Sequence, residues 1–230
     1  YSFAGVILFS YLLIILVPLF MFAFINAGNS QPMMKFSMAI LTGYLFFTIS
    51  RLFLYVFWLP TKRKCWMWTG VAVSSFLLLS FAYGAFVTRT DYKVKEVELS
   101  FEGLPESFDG YRIAFISDIH IGSMWNPESE LEKLSSVVNS TGADVILFGG
   151  DLVNLHHSEL SQPILDRLSL IKARHGVFAV MGNHDTGSYV KGSTKEFRAE
   201  NMASLKRSVS FSGWTYLRDS TVYINNGTHS

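Results

Sequence analysis

Val177-Phe178-Ala179-Val180-Met181-Gly182-Asn183-His184-Asp185 is an apolar run that stops at a glycine and then carries an amide, an imidazole and a carboxylate in succession. A short, continuously apolar segment bounded by Gly176 and Gly182 has the signature of a strand buried on both faces. The same construction occurs twice upstream, in Val145-Ile146-Leu147-Phe148-Gly149-Gly150-Asp151 and in Ile113-Ala114-Phe115-Ile116-Ser117-Asp118-Ile119-His120. Helical patterns separate the three. Asn126-Pro127-Glu128 supplies a cap, a proline at the first helical position and an early acid, followed by Leu131, Leu134, Val137 and Val138 as a buried stripe that ends at Gly142. A second helix is expected over Gln162 to Lys172, with Ile164, Leu165, Leu168 and Ile171 inward. The order β-α-β-α-β with short connections predicts parallel neighbouring strands joined by right-handed crossovers, hence an α/β fold.

Outward from this centre, Val97, Leu99 and Phe101 alternate with Glu96, Glu98 and Ser100, the pattern of a half-buried strand. Ser193-Thr194-Lys195-Glu196 reads as a capping box for a helix reaching about Arg207. Further short strands are expected over Trp214 to Leu217 and Thr221 to Ile224. Residues 91–230 thus form the soluble domain.

Residues 1–90 are different in kind. Ser2 to Ile25, Phe36 to Leu59 and Trp66 to Val87 are each long enough for the roughly 20 apolar residues that a spanning helix requires, so this half is expected to be a membrane module of three transmembrane helices. The sequence opens at Tyr1 inside an apolar run, and a natural start further upstream is expected. Lys62-Arg63-Lys64, flanked by Trp58, Trp66 and Trp68, reads as a basic cytoplasmic loop between interfacial anchors, which would carry everything after the third span to the extracytoplasmic face. Arg51 interrupts the second run and is read as a snorkelling or helix-pairing arginine. A net charge of +1 gives no basic footprint for a nucleic-acid partner. Cys65, the single cysteine, can form no internal disulfide.

The chemistry gathers at the strand ends. In open α/β sheets ligands bind beyond the carboxyl ends of the strands, and each central strand here ends in metal-binding residue types, spaced by one β-α unit. Asp118 and His120, two residues apart, would face the same side of an extended chain. A carboxylate and an imidazole together suit a divalent first-row ion. Asp151 could bridge two ions about 3.5–4 Å apart, and Asn183 offers an amide oxygen to the second. His184 stands ready to stabilise phosphate charge or to protonate a leaving oxygen, with Asp185 accepting the other N–H of its ring. Taken singly, each motif is an ordinary strand end or turn; their arrival at matched positions points to one metal site. His156 and His157 read as solvated loop residues, and His175 as a helix-terminal cation.

The three pieces in this order, Asp118-Ile119-His120, Gly150-Asp151 and Gly182-Asn183-His184-Asp185, resemble the calcineurin-like metallophosphoesterase family over about residues 111 to 190. The resemblance implies N-terminal transmembrane helices followed by a partial calcineurin-like α/β sandwich. It also implies two divalent ions of manganese, iron or zinc. In that scheme Asp118 and His120 are ligands of the first ion, Asp151 is the bridge, Asn183 is a ligand of the second and His184 is the catalytic imidazole. It is similar to membrane-anchored bacterial relatives, which implies an integral protein of the bacterial inner membrane. Such a protein would contact the lipid bilayer and hydrolyse a phosphate ester, lipid or lipid-linked, through a metal-activated water. The family continues with a further metal-binding histidine and a Gly-His-x-His segment. After Asp185 the sequence has only His229, in a context that does not match. The chain is therefore expected to be C-terminally incomplete, with weak metal binding and little turnover as it stands. The competing expectation is a membrane-bound binding or scaffold protein with an incomplete phosphoesterase domain.

Overall fold

Strands form at all three apolar runs. In the computed structural model, which describes residues 17–18, 31–58 and 64–227, β1 (Ile113–Ile116), β2 (Val145–Phe148), β3 (Val177–Ala179) and β4 (Thr215–Tyr216) make one sheet in the order β1-β2-β3-β4. Every neighbouring pair is parallel, with Ile113 opposite Val145, Phe148 opposite Ala179 and Phe178 opposite Thr215. The α/β reading with adjacent parallel strands therefore holds, and it extends to a fourth strand.

Helices α3 (Pro127–Ser140), α4 (Gln162–Leu168) and α5 (Lys195–Phe211) accompany the sheet. Leu131 and Val138 of α3, Ile164, Leu165 and Leu168 of α4, and Leu205 and Val209 of α5 join Ile146, Phe148, Val177, Ala179 and Trp214 in one buried cluster. Each buried Val, Leu, Ile or Phe among them contributes about 1.5–3 kcal/mol by leaving water. The cap of α3 is the expected one: Asn126 Oδ1 accepts from the Ser129 amide at 3.3 Å, and Glu130 Oε1 accepts from the Asn126 amide at 3.0 Å. α4 ends at Leu168, earlier than the sequence suggests. The Asn139 side chain takes the Leu170 carbonyl (2.8 Å) and the Lys172 amide (3.2 Å), which draws the following residues into a turn. Thr194, accepting from the Phe197 amide at 3.2 Å, caps α5.

Two expected strands are absent. Residues 91–100 form no strand, and Val97, Leu99 and Phe101 are all more than 60% exposed. Thr221 to Ile224 likewise forms no strand. Alternation makes a segment fit for a sheet, but a strand also needs a neighbour's backbone. β1 departs from expectation in the same sense. Ala114 and Ile116 pack on the core, whereas Ile113 and Phe115 lie on an open face, 60% and 68% exposed.

The chain divides into two units, Tyr1–Asp91 and Tyr92–Ser230. In the first, α1 (Gln31–Trp58) covers the second apolar run and α2 (Lys64–Phe86) the third. They pack together with Phe46 stacked on Phe81, ring centroids 3.6 Å apart. Apolar side chains such as Leu45, Leu52, Phe76 and Leu79 face outward, as they do on helices apolar on all sides. Among the described residues one helical stretch, Trp68–Thr90, is long and apolar enough to cross a membrane, with a mean hydropathy of 1.8. Of the three expected spans, the third therefore meets that criterion among the described residues. The first span falls outside the described residues except for positions 17 and 18; the Lys62-Arg63 loop, the Arg51 side chain and His229 lie outside them too.

Candidate metal centre

The site is assembled by backbone pairing that continues past the strand ends. The Gly149 amide donates to the Ile116 carbonyl (2.9 Å), the Asp118 amide to Gly150 (3.0 Å), the His120 amide to Asp151 (3.0 Å) and the Ile121 amide to Leu152 (3.0 Å). The turns after β1 and β2 are therefore locked in register, and that register sets Asp118 and His120 beside Asp151. All three of these residues hold left-handed backbone, with φ of 57°, 47° and 60°. This region is unfavourable for a side chain by roughly 1–2 kcal/mol per residue, and such strain gathers where a fold must aim functional groups. The expected mutual facing of Asp118 and His120 occurs, but through two left-handed kinks instead of an extended chain.

The turn after β3 is tied to the same place. The His184 amide donates to Asp151 Oδ1 at 2.8 Å. Glycine is required at two points of this junction. A Cβ at Gly182 would collide with the backbone and carboxylate of Asp151, and one at Gly150 with the backbone of Met181 and Gly182.

His120, Asp151 and His184 each offer a ligand atom, all within 4.8 Å of one another. His120 Nε2 stands 3.8 Å from Asp118 Oδ1 and 3.9 Å from Asp151 Oδ2. These separations exceed hydrogen-bond range. They fall inside the span of about 4.4 Å open to two ligands of one ion with bonds of roughly 2.0–2.2 Å. His120 Nδ1 is buried with no hydrogen-bond partner among the described residues; its ring meets His184 edge-on, centroids 4.7 Å apart at 89°. The His120 imidazole with the carboxylates of Asp118 and Asp151 fits a divalent transition ion, with the His184 ring beside them. Asp118 is the exposed member, its side chain 64% accessible, and its carboxylate accepts a hydrogen bond from the Ser117 hydroxyl. Asn183 is also exposed, with its amide nitrogen donating to Tyr189 Oη at 2.9 Å.

Asp185 does not orient His184. The His184 ring is held instead through Nδ1, 2.8 Å from the Asn154 carbonyl. Asp185 is 1% exposed, and its carboxylate accepts four backbone amides: Leu152 and Val153 on Oδ1, Asp151 and Gly182 on Oδ2. Burial pushes this carboxyl above the ordinary carboxylate range while the four donors pull against it. Its task is to clamp the second and third turns together.

Three contributors escape a reading by residue type. Asn154 acts through its backbone carbonyl, so its side chain carries no signal. Tyr189 stacks on His184, centroids 4.4 Å apart at 21°. Asn201 is 1% exposed; it accepts from the His157 amide and donates to the Asp185 carbonyl, both at 2.8 Å. A signal for Asn201 does exist: it stands at i, i+4 and i+8 with Leu205 and Val209, a polar residue inside the buried stripe of α5. His156 and His157 are half-buried, not solvated, and His156 stacks on Phe197 at 5.1 Å. His175 lies elsewhere, its Nδ1 2.7 Å from Tyr111 Oη.

A parallel α/β sheet whose carboxyl edge gathers imidazoles and carboxylates around one point defines the class: an α/β protein with a candidate metal centre at its strand ends. A profile of the calcineurin-like phosphoesterases matches residues 111–229, more than half of the chain, and the chain belongs to that family. It is 37% identical over 103 residues to a transmembrane protein with metallophosphoesterase domain from Danio rerio, covering 45% of this chain and 23% of that protein. It is 31% identical over 128 residues to the UDP-2,3-diacylglucosamine pyrophosphatase LpxG of Chlamydia muridarum, covering 54% of this chain and 33% of LpxG. Against the metallophosphoesterase YkuE of Bacillus subtilis the identity is 26% over 114 residues, covering 47% and 38% respectively. The chain thus spans well under half the length of these relatives. No solved structure matches.

Proposed function

We propose that this chain belongs to a membrane-anchored, metal-dependent phosphoesterase that hydrolyses a lipid or lipid-linked phosphate ester, using two divalent ions. The observation that carries the reading is the convergence of His120, Asp151 and His184 within 4.8 Å at the carboxyl edge of a parallel sheet. Asp118 and His120 would hold the first ion, Asp151 would lie between the two, and Asn183 would give its amide oxygen to the second. Bound there, divalent ions supply Lewis acidity for a phosphate and a water made acidic enough to attack it. The chain's own contribution is positional. The Asn154 carbonyl takes Nδ1 of His184 and leaves Nε2 to face the site, where it can give a proton to the departing oxygen. Asp185 fixes the distance between the turns that carry Asp151 and His184, so the proton donor and the carboxylate move as one body.

The anchor is inferred from Trp68–Thr90 and from the outward-facing apolar side chains of α1 and α2. The transmembrane relative and the lipid substrate in the name of LpxG support it. We place residues 92–230 on the extracytoplasmic face. The test is hydrolysis of bis(4-nitrophenyl) phosphate by the complete protein in detergent with manganese. Turnover should require the metal and fall in Asp151→Asn by at least about 100-fold, since even groups outside a metal's direct ligands cost about 10–100-fold. Equal rates with and without metal, or in the variant, would refute the enzyme. Silence in every condition would leave the binding or scaffold role.

A further inference from the structure

Tyr189 lies past the family motif, in a segment with no strand and no helix, yet the fold places it with care. The turn that presents it begins at His184–Thr186 and reverses at Gly187, whose backbone is left-handed at φ 75°. A Cβ at Gly187 would stand 3.0 Å from Asn201 Nδ2 and 3.3 Å from the Phe197 ring, so the reversal is packed against α5 as well as bent. Thr186 Oγ1 donates to the Asn183 carbonyl at 2.8 Å, and the Val190 amide donates to the Gly187 carbonyl at 3.3 Å. These bonds close a small loop around Tyr189 although its side chain is 55% exposed. Two contacts result. The Tyr189 ring stacks on His184, and its hydroxyl accepts the Asn183 amide N–H at 2.9 Å.

The second contact engages the nitrogen end of the Asn183 amide. A side-chain amide is a donor at one end and an acceptor at the other, and the ends differ little in shape. A cation takes only the oxygen. An exposed asparagine with no partner for its NH2 rotates freely and spends much of its time with the wrong end forward. From this we infer that Tyr189 is a positioning residue: by accepting the Asn183 N–H it turns the Asn183 oxygen toward the metal, while its ring holds the plane of His184. The inference rests on Asn183 being a metal ligand, as proposed above.

The test is binding of manganese alone to the complete protein in detergent, followed by calorimetry and by the electron paramagnetic resonance of the bound ion. Tyr189→Phe keeps the ring and removes the hydroxyl; it should weaken manganese binding by about 10–100-fold, the usual effect of losing a group that orients a metal ligand. Because the side chain is largely exposed, the melting temperature should stay that of the unaltered protein. The decisive arm uses Asn183→Asp. A carboxylate has an acceptor at both ends and needs no orientation, so adding Tyr189→Phe to it should change affinity less than about 2-fold, within the scatter expected of independent sites. An unchanged affinity in Tyr189→Phe alone would overturn the inference, as would an equal loss in the Asn183→Asp background, which would mark a merely structural role. If Asn183→Ala binds manganese normally while Asp151→Asn does not, Asn183 is no ligand and the inference falls while the metal site stands. If the unaltered protein binds no manganese, both fall together.

Discussion

His120, Asp151 and His184, which the fold gathers within 4.8 Å, are legible as candidates because metal chemistry restricts the choice of side chain, and their positions at strand ends follow from apolar pattern alone. What held them in place was not legible. The left-handed backbone at Asp118, His120 and Asp151 is imposed by the neighbouring turn, whose amides and carbonyls pair across the ladder. Asp185 looked like the orienting partner of His184 because the two are adjacent, but buried backbone amides claim a carboxylate more strongly than an imidazole does when four of them converge. Asn201 is the clearest case of a residue whose work is invisible in its own segment. It joins the loop after β2 to the turn after β3 through two backbone groups, the His157 amide and the Asp185 carbonyl, and its Oδ1 also lies 3.3 Å from the His157 ring Nδ1. Asn201→Leu keeps the apolar stripe of α5 but leaves the His157 amide and the Asp185 carbonyl without partners. At about 1–3 kcal/mol for each of the two unsatisfied groups, the substitution should destabilise residues 92–230 by roughly 2–6 kcal/mol. Chemical denaturation followed by tryptophan fluorescence would measure it, and a loss below 1 kcal/mol, the low end of that per-group cost, would show that water replaces the amide.

The short helical turn His157–Glu159, between β2 and α4, shows how an element too small to predict can still be well built. His156 caps it: Nδ1 accepts from the Ser158 amide at 3.3 Å, while Glu159 accepts from the amides of Asn154, Leu155 and His156. No apolar period marks such a turn, and a histidine cap is outside the usual preference for Ser, Thr, Asp and Asn. The choice of histidine makes the cap sensitive to pH. Burial, and then the neighbouring His157, hold His156 below its ordinary value of 6.5, against the pull of Glu159 and Glu200. The unfolded chain therefore takes up a proton first as the pH falls. The cap's stabilisation is complete above about pH 6.5 and is lost as the pH drops through the depressed folded value. Hydrogen exchange at the Ser158 amide should accordingly lose protection on acidification beyond the intrinsic rate change. His156→Asn keeps an acceptor that does not titrate and should flatten that dependence; an unchanged profile in the variant would assign it to another group.

Over the whole chain, the order of elements was readable because each strand and helix announces a buried face, whereas the partner of that face is not written in the segment. Val97, Leu99, Phe101, Ile113 and Phe115 show the difference: all were expected to be covered, and all are exposed. The helices of residues 1–91 have the same property, since helices apolar on every side say that they leave water but not in which direction. Direction is a matter of charge. Lys62, Arg63 and Lys64 form an unbroken run in the short connection before Trp66 and Trp68, both exposed. On the other side of α2 stand Arg89, Lys93 and Lys95, interleaved with Asp91, Glu96 and Glu98. Lysine and arginine in short loops weigh most in setting orientation, and long domains translocate largely regardless of their own charge. The concentrated basic loop should therefore stay in the cytoplasm and send residues 92–230 across. Alkaline phosphatase, active only outside the cytoplasm, should work when fused after Lys95, and a cytoplasmic reporter at the same point should be silent. Replacing Lys62, Arg63 and Lys64 by glutamine should exchange the two signals, because the downstream cations would then be the strongest retention signal left. The opposite pattern in the unaltered protein would put the metal centre in the cytoplasm and restrict its substrates to phosphate esters made on that side.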